Sequence, residues 1–417
     1  MTQAFRLKPF LFTPYVALVA FCVYSCMYAF RKPLTVGTFA GEYWGVEYKI
    51  LLITAQVIGY MLSKFIGIKV VSELSGNSRA VAILILVSLS AVALLLFPLT
   101  PAPYNVFWIF CNGLPLGMVF GLVFSYLEGR RTTELLGIGL SITQIFSSGF
   151  VKTIAKYLML EWQVSEYWMP LLTGLVFFPF LFLFVGLLAM IPPPSIEDEQ
   201  ARTKRKPMNQ QERLLFFRTF APGLILLILA YIFLTAYRDF RDNFAADIWK
   251  VLGRSEDAMI FTQTEIPIFL VIMCITAGLV LIRDNQIAFL LNQFLVILGC
   301  ILIGISTYFF EQKVLSPETW ITLVGLGLYM GYVPFNIMLF DRMIAAFRYV
   351  GTAGFLIYVA DSFGYLGSVA VLFYKNFGQS NLDWLQFFIQ TSYILAVSGI
   401  VLTSLSIFYF WRKLYSR

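Results

Sequence analysis

The stretch Leu11 to Lys32, LFTPYVALVAFCVYSCMYAFRK, decides how the rest of the chain is read. From Leu11 to Phe30 it carries no charge, which is long enough to cross the roughly 30 Å hydrocarbon core of a bilayer as a helix. It then ends in Arg31-Lys32. A second uncharged run, Phe220 to Tyr237, ends in Arg238 at the matching place in the other half of the chain. A guanidinium inside or at the edge of a bilayer is costly unless an anionic group or a water-filled cavity receives it. Two such arginines, one per half, point to a clamp for an anion.

Composition fixes the class. Hydrophobic residues make up 59% of the 417 and charged residues 13%, against about 25% charged in soluble domains. Mean hydropathy is +0.80. The chain is therefore expected to be an all-α membrane protein with about twelve transmembrane helices. The net charge of +7 is explained by basic cytoplasmic loops, and no nucleic-acid partner is expected. Cys22, Cys26, Cys111, Cys274 and Cys300 all lie in apolar runs, and the sequence has no histidine. Disulfide and Cys/His metal readings lose their support, and neither a metal nor another cofactor is implied.

The apolar runs place spans near Leu11 to Phe30, Lys49 to Gly67, Arg79 to Leu99, Tyr104 to Glu128, Glu134 to Met159 and Trp168 to Ile191. A polar stretch follows. It holds Pro192-Pro193-Pro194, an acidic cluster (Glu197, Asp198, Glu199) and a basic one (Arg202, Lys204, Arg205, Lys206), the composition of a solvated linker. Further spans fall near Phe220 to Ala246, Ala258 to Ile282, Ile287 to Phe310, Thr319 to Ala346, Gly351 to Tyr374 and Leu385 to Trp411. The expected organisation is an N-terminal six-helix half over 1–191, a cytoplasmic linker over 192–213 and a C-terminal six-helix half over 214–417.

If the spans alternate, Arg6, Lys8, Lys69, Arg79, Arg130, Arg131, Arg342, Arg348, Arg412, Lys413 and Arg417 fall on one side. Both termini and the linker are then cytoplasmic. The first run lacks a small-residue cleavage site, so it is expected to be retained as a span. The halves also echo one another in Glu128-Gly129-Arg130-Arg131 and Asp341-Arg342, each followed by a glycine-bearing helix start (Gly137 and Gly139; Gly351 and Gly354). Paired six-helix repeats around a midplane site are a transporter architecture.

Tyr24, Tyr28 and Arg31 are spaced i, i+4 and i+7 and share one helix face. They either present two hydroxyls and a guanidinium to one ligand, or pack, sit at the interface and snorkel with Lys32. In Tyr237-Arg238-Asp239-Phe240-Arg241-Asp242, Arg238 and Arg241 share a face and the two aspartates are available to neutralise them. For Arg241 and Asp242 an ion-paired helix end is favoured. Lys64 either lines a cavity or reaches the cytoplasmic face.

The residues Tyr24 to Pro33 (YSCMYAFRKP), Ser63-Lys64-Phe65-Ile66, Tyr237-Arg238, Tyr332-Val333-Pro334 and Phe363-Gly364-Tyr365-Leu366-Gly367 resemble the organophosphate:phosphate antiporters. These form a branch of the major facilitator superfamily that includes the glycerol-3-phosphate and hexose-phosphate transporters. The resemblance covers most of the chain in patches. It implies the major facilitator fold and a basic cavity in which Arg31 and Arg238 bind phosphate. Lys64 adds charge there, and Tyr24, Tyr28, Tyr332 and Tyr365 frame the substrate. Arginine suits that role, because it stays charged and offers bidentate hydrogen bonds to phosphate oxygens. Three departures stand out. Gln144 takes the place of a histidine in the fifth span, and the superfamily's loop signature survives only weakly as Val70 to Arg79 with Glu73. Asp361, Glu265 and Lys152 are intramembrane charges without a match, Asp361 being read as a partner of Arg238 or Arg241, or else as a proton carrier.

The expected function is secondary transport of a small anionic solute, an organophosphate exchanged for phosphate, by alternating access. Alternatives are a proton-coupled symporter of a sugar, carboxylate or cell-wall fragment, and a transporter-like sensor. With no histidine, metal cluster or aqueous domain, an enzyme is not expected. The expected partners are the anionic substrate, inorganic phosphate or a proton as coupling ion, and membrane lipid. The expected state is a monomer in a bacterial inner (plasma) membrane.

Overall fold

In hydrocarbon every backbone N–H and C=O must be satisfied within its own segment, so long uncharged runs become helices. The computed structural model describes residues 9–74, 76–128, 130, 132–194, 210–349, 354–378 and 382–415. The charge clusters of the expected linker lie outside them, as do Arg6, Lys8, Gly129, Arg131, Gly351 and Arg417, and the side chains of Lys69 and Glu73 are not described.

The helices are α1 (Pro9–Tyr28), α2 (Tyr48–Glu73), α3 (Gly76–Leu99), α4 (Val106–Leu116), α5 (Val119–Leu127), α6 (Thr133–Leu160), α7 (Met169–Ala189) and α8 (Gln210–Asn243). They continue with α9 (Ala245–Val251), α10 (Ile260–Val280), α11 (Asn285–Glu311), α12 (Pro317–Ile337), α13 (Leu339–Ala346), α14 (Gly354–Phe373) and α15 (Trp384–Tyr415). Among the described residues, ten segments are long and apolar enough to cross a membrane, α4 and α5 together forming one. A pair comprising Pro317–Phe335 and Leu339–Ala346, bent by 45°, supplies an eleventh, and Val359–Phe373 is a shorter apolar helix. This fits the about twelve spans expected. Among the described residues α8 begins at Gln210, ahead of the Phe220 expected for the seventh span, because Gln210, Gln211, Glu212 and Arg213 are good helix formers that extend it past the apolar run.

The described chain forms two compact units. One holds the residues up to 194 together with Asp242–Gln263, and the other runs to Arg241 and resumes at Thr264. The chain thus changes unit inside α8 and again inside α10.

In the first unit α1 packs on α6 and α7, and α4 lies against α2 and α3. A Cβ at Gly59 of α2 would strike the Phe110 carbonyl, and one at Gly113 of α4 would strike that of Gln56. Small residues are what let two membrane helices approach this closely. After α1 the chain turns into a 3-10 helix, Pro33–Val36, whose first proline pre-sets the helical φ and lacks a donor that would be unsatisfied there. Two short antiparallel strands, Glu42–Tyr43 and Val46–Glu47, follow. Trp44 and Gly45 between them have φ of 56° and 75°, the paired positive angles of a two-residue hairpin turn. The reading of the sequence contains no strand, and this hairpin is an addition to it.

In the second unit α11 packs along α12 and α15. A Cβ at Gly299 or at Gly327 would run into the carbonyl of the other, so α11 and α12 touch backbone to backbone. The Asp284 carboxylate accepts from the Gln286 and Ile287 amides (2.8 and 3.0 Å) at the start of α11. Ser316 caps α12 in the same way. On α14, Gly364 lies against Thr235 and Gly367 against Ile232, which brings that helix close to α8.

Candidate functional site

In the first unit Arg31 sits just past the end of α1, where helix carbonyls have lost their intrahelical partners. Buried amides take up those carbonyls. Gln56 Nε2 donates to the Arg31 carbonyl at 3.1 Å and Asn112 Nδ2 to that of Phe30 at 3.0 Å. Gln56 also donates to Asn112 Oδ1 (2.7 Å), and Asn112 to Ser90 Oγ (2.6 Å). Three helices therefore fix the backbone that carries the arginine.

The Arg31 guanidinium lies 3.7 Å from the centroid of the Tyr60 ring. Lys64, one turn further along α2, has its Nζ 5.7 Å from the same ring and 5.7 Å from that of Phe120. Tyr24 packs edge-on to Tyr28 and to Phe120. Arg31, Tyr24, Tyr28 and Tyr60 are all buried. The structure thus gathers the four residues expected here, Tyr24, Tyr28, Arg31 and Lys64, around an aromatic plate. Cations over aromatic faces gain about 2 kcal/mol when desolvated.

A second cluster of the same unit surrounds Asp242. Lys32 and Lys152 both pair with its carboxylate, and Ser148 donates to it. Lys152 also donates to the Asp242 carbonyl at 2.5 Å, and Lys32 to Asn243 Oδ1 at 3.0 Å. Lys32 is 3% exposed, so it is an ion-pair partner and does not snorkel to headgroups. Gln144, half-buried on α6, lies on the same helical stripe as Ser148 and Lys152 at four-residue spacing. Lys49 pairs with Asp247 at 2.6 Å, and Thr153 shares a hydrogen bond with Thr262 at 2.7 Å.

The second unit holds Arg238. Its guanidinium lies 4.3 Å from the Tyr332 ring centroid and 5.9 Å from that of Tyr365, and it donates to the Tyr332 hydroxyl. Its neighbour Asp239 takes Nη2 at 2.6 Å and Nε at 3.2 Å. The other Asp239 oxygen accepts from Ser368 at 2.8 Å. Arg241 pairs with Glu265 at 2.8 Å and donates to the Ile321 carbonyl at 3.3 Å. Asp361 accepts from the Tyr231 hydroxyl at 2.5 Å. Tyr231 stacks on Tyr332 with centroids 5.4 Å apart, and the two hydroxyls are 3.4 Å apart.

Tyr60, Tyr231, Gln56, Asn112 and Ser368 were not singled out from the sequence. For Tyr60 a signal existed, since it lies one turn before Lys64 and shares its face. The others are common residue types in apolar runs and carry no such mark.

These clusters belong to an integral membrane protein of the major facilitator fold. Solved structures show the likeness. The crystal structure of a D-xylose-proton symporter matches with TM-score 0.63 at 13% identity, covering 95% of this chain and 97% of that one. The xylose transporter XylE from E. coli, in a partially occluded inward-open conformation, matches at 0.63 and 12% identity over 96% and 98%. The nucleoside transporter NupG matches at 0.61 and 15% over 96% and 99%. The chain belongs to a family described as "Family of unknown function (DUF5690)", which matches residues 33–413. No curated protein matches the sequence.

Proposed function

We propose that this protein is a secondary active transporter that moves a small organophosphate in exchange for inorganic phosphate by alternating access. The observation that carries the reading is repeated once in each unit: a buried arginine held against tyrosine rings, Arg31 on Tyr60 beside Lys64, and Arg238 on Tyr332 near Tyr365. Arg31 and Arg238 each supply a guanidinium to the phosphate group, Lys64 adds charge, and Tyr24, Tyr28, Tyr332 and Tyr365 shape the space around the ester. A planar guanidinium recognises phosphate oxygens two at a time. The resemblance of Tyr24 to Pro33 and of Phe363 to Gly367 to the organophosphate:phosphate antiporters supports this substrate class. A fold likeness to proteins titled as a symporter and a transporter supports only the coarser reading, secondary transport.

The working arrangement is two six-helix halves, 1–191 and 214–417, joined by a cytoplasmic linker. The protein acts as a monomer in a bacterial inner membrane with both termini in the cytoplasm. A bound anion neutralises the basic site, and reorientation with the site empty is costly because uncompensated buried charge is costly. Exchange follows from that difference.

The test is counterflow in proteoliposomes preloaded with inorganic phosphate, following external radiolabelled phosphate. Saturable exchange in the wild type, lost in Arg31→Ala and in Arg238→Ala with both variants still monodisperse, is the expected result. A wild type that exchanges no phosphate overturns the reading.

A further inference from the structure

In the orientation proposed above, loops 37–47, 100–105 and 161–168 face outward, and none of them holds a lysine or arginine. The bias of basic residues toward the cytoplasm leads one to expect this. Lysines nonetheless gather at one place on that end of the first unit, each from a different element. They are Lys49 in the first turn of α2, Lys156 near the end of α6 and Lys250 on α9.

Local contacts bring them together. Lys49 Nζ pairs with Asp247 of α9 at 2.6 Å and lies 5.9 Å from the centroid of the Phe244 ring. Lys250 follows Asp247 by three residues, so the two share a face of α9. Buried Ile248 and Trp249 hold that short helix in place, and Thr153 of α6 shares a hydrogen bond with Thr262 of α10 at 2.7 Å. Lys156 is acted on by one carboxylate, Glu256, and by two ammonium groups, those of Lys49 and Lys250. Three ammonium groups thus share Asp247 and Glu256. Like charges repel strongly where the dielectric is low, and packing alone gives no reason to place three lysines here.

The cluster is graded in depth. Lys250 is exposed, Lys156 half-buried and Lys49 buried. One turn before Lys156 on α6 stands Lys152, also buried, which shares Asp242 with Lys32, the neighbour of Arg31 in the chain. Ammonium groups therefore run from the surface of the first unit toward a proposed phosphate ligand without leaving that unit. Charge of one sign beside low-dielectric walls raises the local concentration of the opposite ion and speeds its arrival.

We infer that Lys250, Lys156 and Lys49 form an outer capture site for a phosphate group, which concentrates inorganic phosphate or a phosphate monoester ahead of its transfer to Arg31. The inference rests on the proposed anion-exchange reading and adds how the outer face is loaded. Lys250 meets the anion first, and the half-buried Lys156 draws it inward.

The experiment uses the full chain in phosphate-loaded proteoliposomes of determined orientation, following radiolabelled phosphate. The quantity read is the initial exchange rate at phosphate far below saturation, taken from each face in turn. From the outer face the wild-type rate is expected to fall roughly tenfold as ionic strength rises from about 0.02 to 0.5 M. The double variant Lys156→Gln/Lys250→Gln is expected to start near the wild-type high-salt rate and to respond little to salt. Its maximal rate, and its rate from the cytoplasmic face, should match wild type. Lys250 is exposed, so Lys250→Glu serves alone if the double variant does not fold, and it should slow loading more than Lys250→Gln does. Lys313→Gln removes an exposed lysine between α11 and α12, outside the cluster, and is expected to change nothing. Wild-type salt dependence in the double variant, an equal loss from both faces, or the same loss in Lys313→Gln overturns the capture site and leaves anion exchange standing. Each measurement is repeated in zwitterionic lipid alone and with anionic lipid added. An effect of the variants confined to anionic lipid assigns the cluster to lipid phosphates and also overturns capture. Absence of any phosphate exchange in the wild type overturns the transport reading and this inference together.

Discussion

Asp239 and Arg238 are adjacent in the chain and paired in space, carboxylate to Nη2 at 2.6 Å, with Ser368 holding the other carboxylate oxygen. Successive side chains on a helix point about 100° apart, so the pair forms only because the long guanidinium folds back toward its neighbour. The arginine is thereby kept in one orientation, with the Tyr332 ring on its face.

Orientation should matter as much as charge. Arg238→Lys and Arg31→Lys keep the cation but lose the planar fork. Each is expected to weaken apparent phosphate affinity by roughly 10- to 100-fold, the equivalent of one charged hydrogen bond. Concentration dependence of counterflow reads this directly. Affinity within twofold of wild type would show that charge alone serves.

Asp242 answers two buried lysines. Asp242→Asn leaves both without their carboxylate and is expected to destabilise the protein by about 3–5 kcal/mol. Lys152→Met leaves the Lys32 pair in place and should cost less. Thermal unfolding in detergent separates the two, and equal midpoints for Asp242→Asn and wild type would mean that the cluster contributes nothing to stability.

Gly113 has no room for a side chain, since a Cβ there meets the Gln56 carbonyl. Gly113→Ala is expected to cost about 1–3 kcal/mol by overpacking. Because Gln56 supports the Arg31 carbonyl, the substitution should also lower phosphate affinity. A variant that loses stability but binds normally would uncouple that support from the site.

Tyr167, in the loop between α6 and α7, has its phenol pushed above the usual range by burial and then by Glu166 alongside. The folded state thus favours the neutral phenol. Its contribution to stability is present below the unfolded value of about 10 and is lost as pH rises through the higher folded value. Tyr167→Phe should remove part of the alkaline loss of stability, measured as unfolding midpoint against pH. An unchanged alkaline limb would place that loss elsewhere.

The spans could be read in advance because uninterrupted apolar runs have few alternatives in a bilayer. Arg31 and Arg238 stood out for the same reason, as charges ending such runs. Tyr60 carried only the weak mark of lying one turn before Lys64, and Tyr231 carried none, because a chain with 22 tyrosines gives little sign of which ring lies against a distant partner. Gln56 and Asn112 were hidden in another way. Their partners are backbone carbonyls at the end of a different helix, and backbone acceptors leave no trace in residue identity. Asp361 was legible as a misplaced acid, but its partner Tyr231 lies 130 residues away along the chain.

The assignment of Asp242–Gln263 to the first unit bears on biosynthesis. Lys32 and Lys152 leave the ribosome long before the aspartate that neutralises them is made. Until Asp242 emerges, the nascent first unit has to keep both ammonium groups hydrated or borrow another anion, so its final consolidation waits for the first helix of the second half. A protein severed in the linker should yield an N-terminal fragment that stays immature when synthesised alone and matures when its complement is supplied.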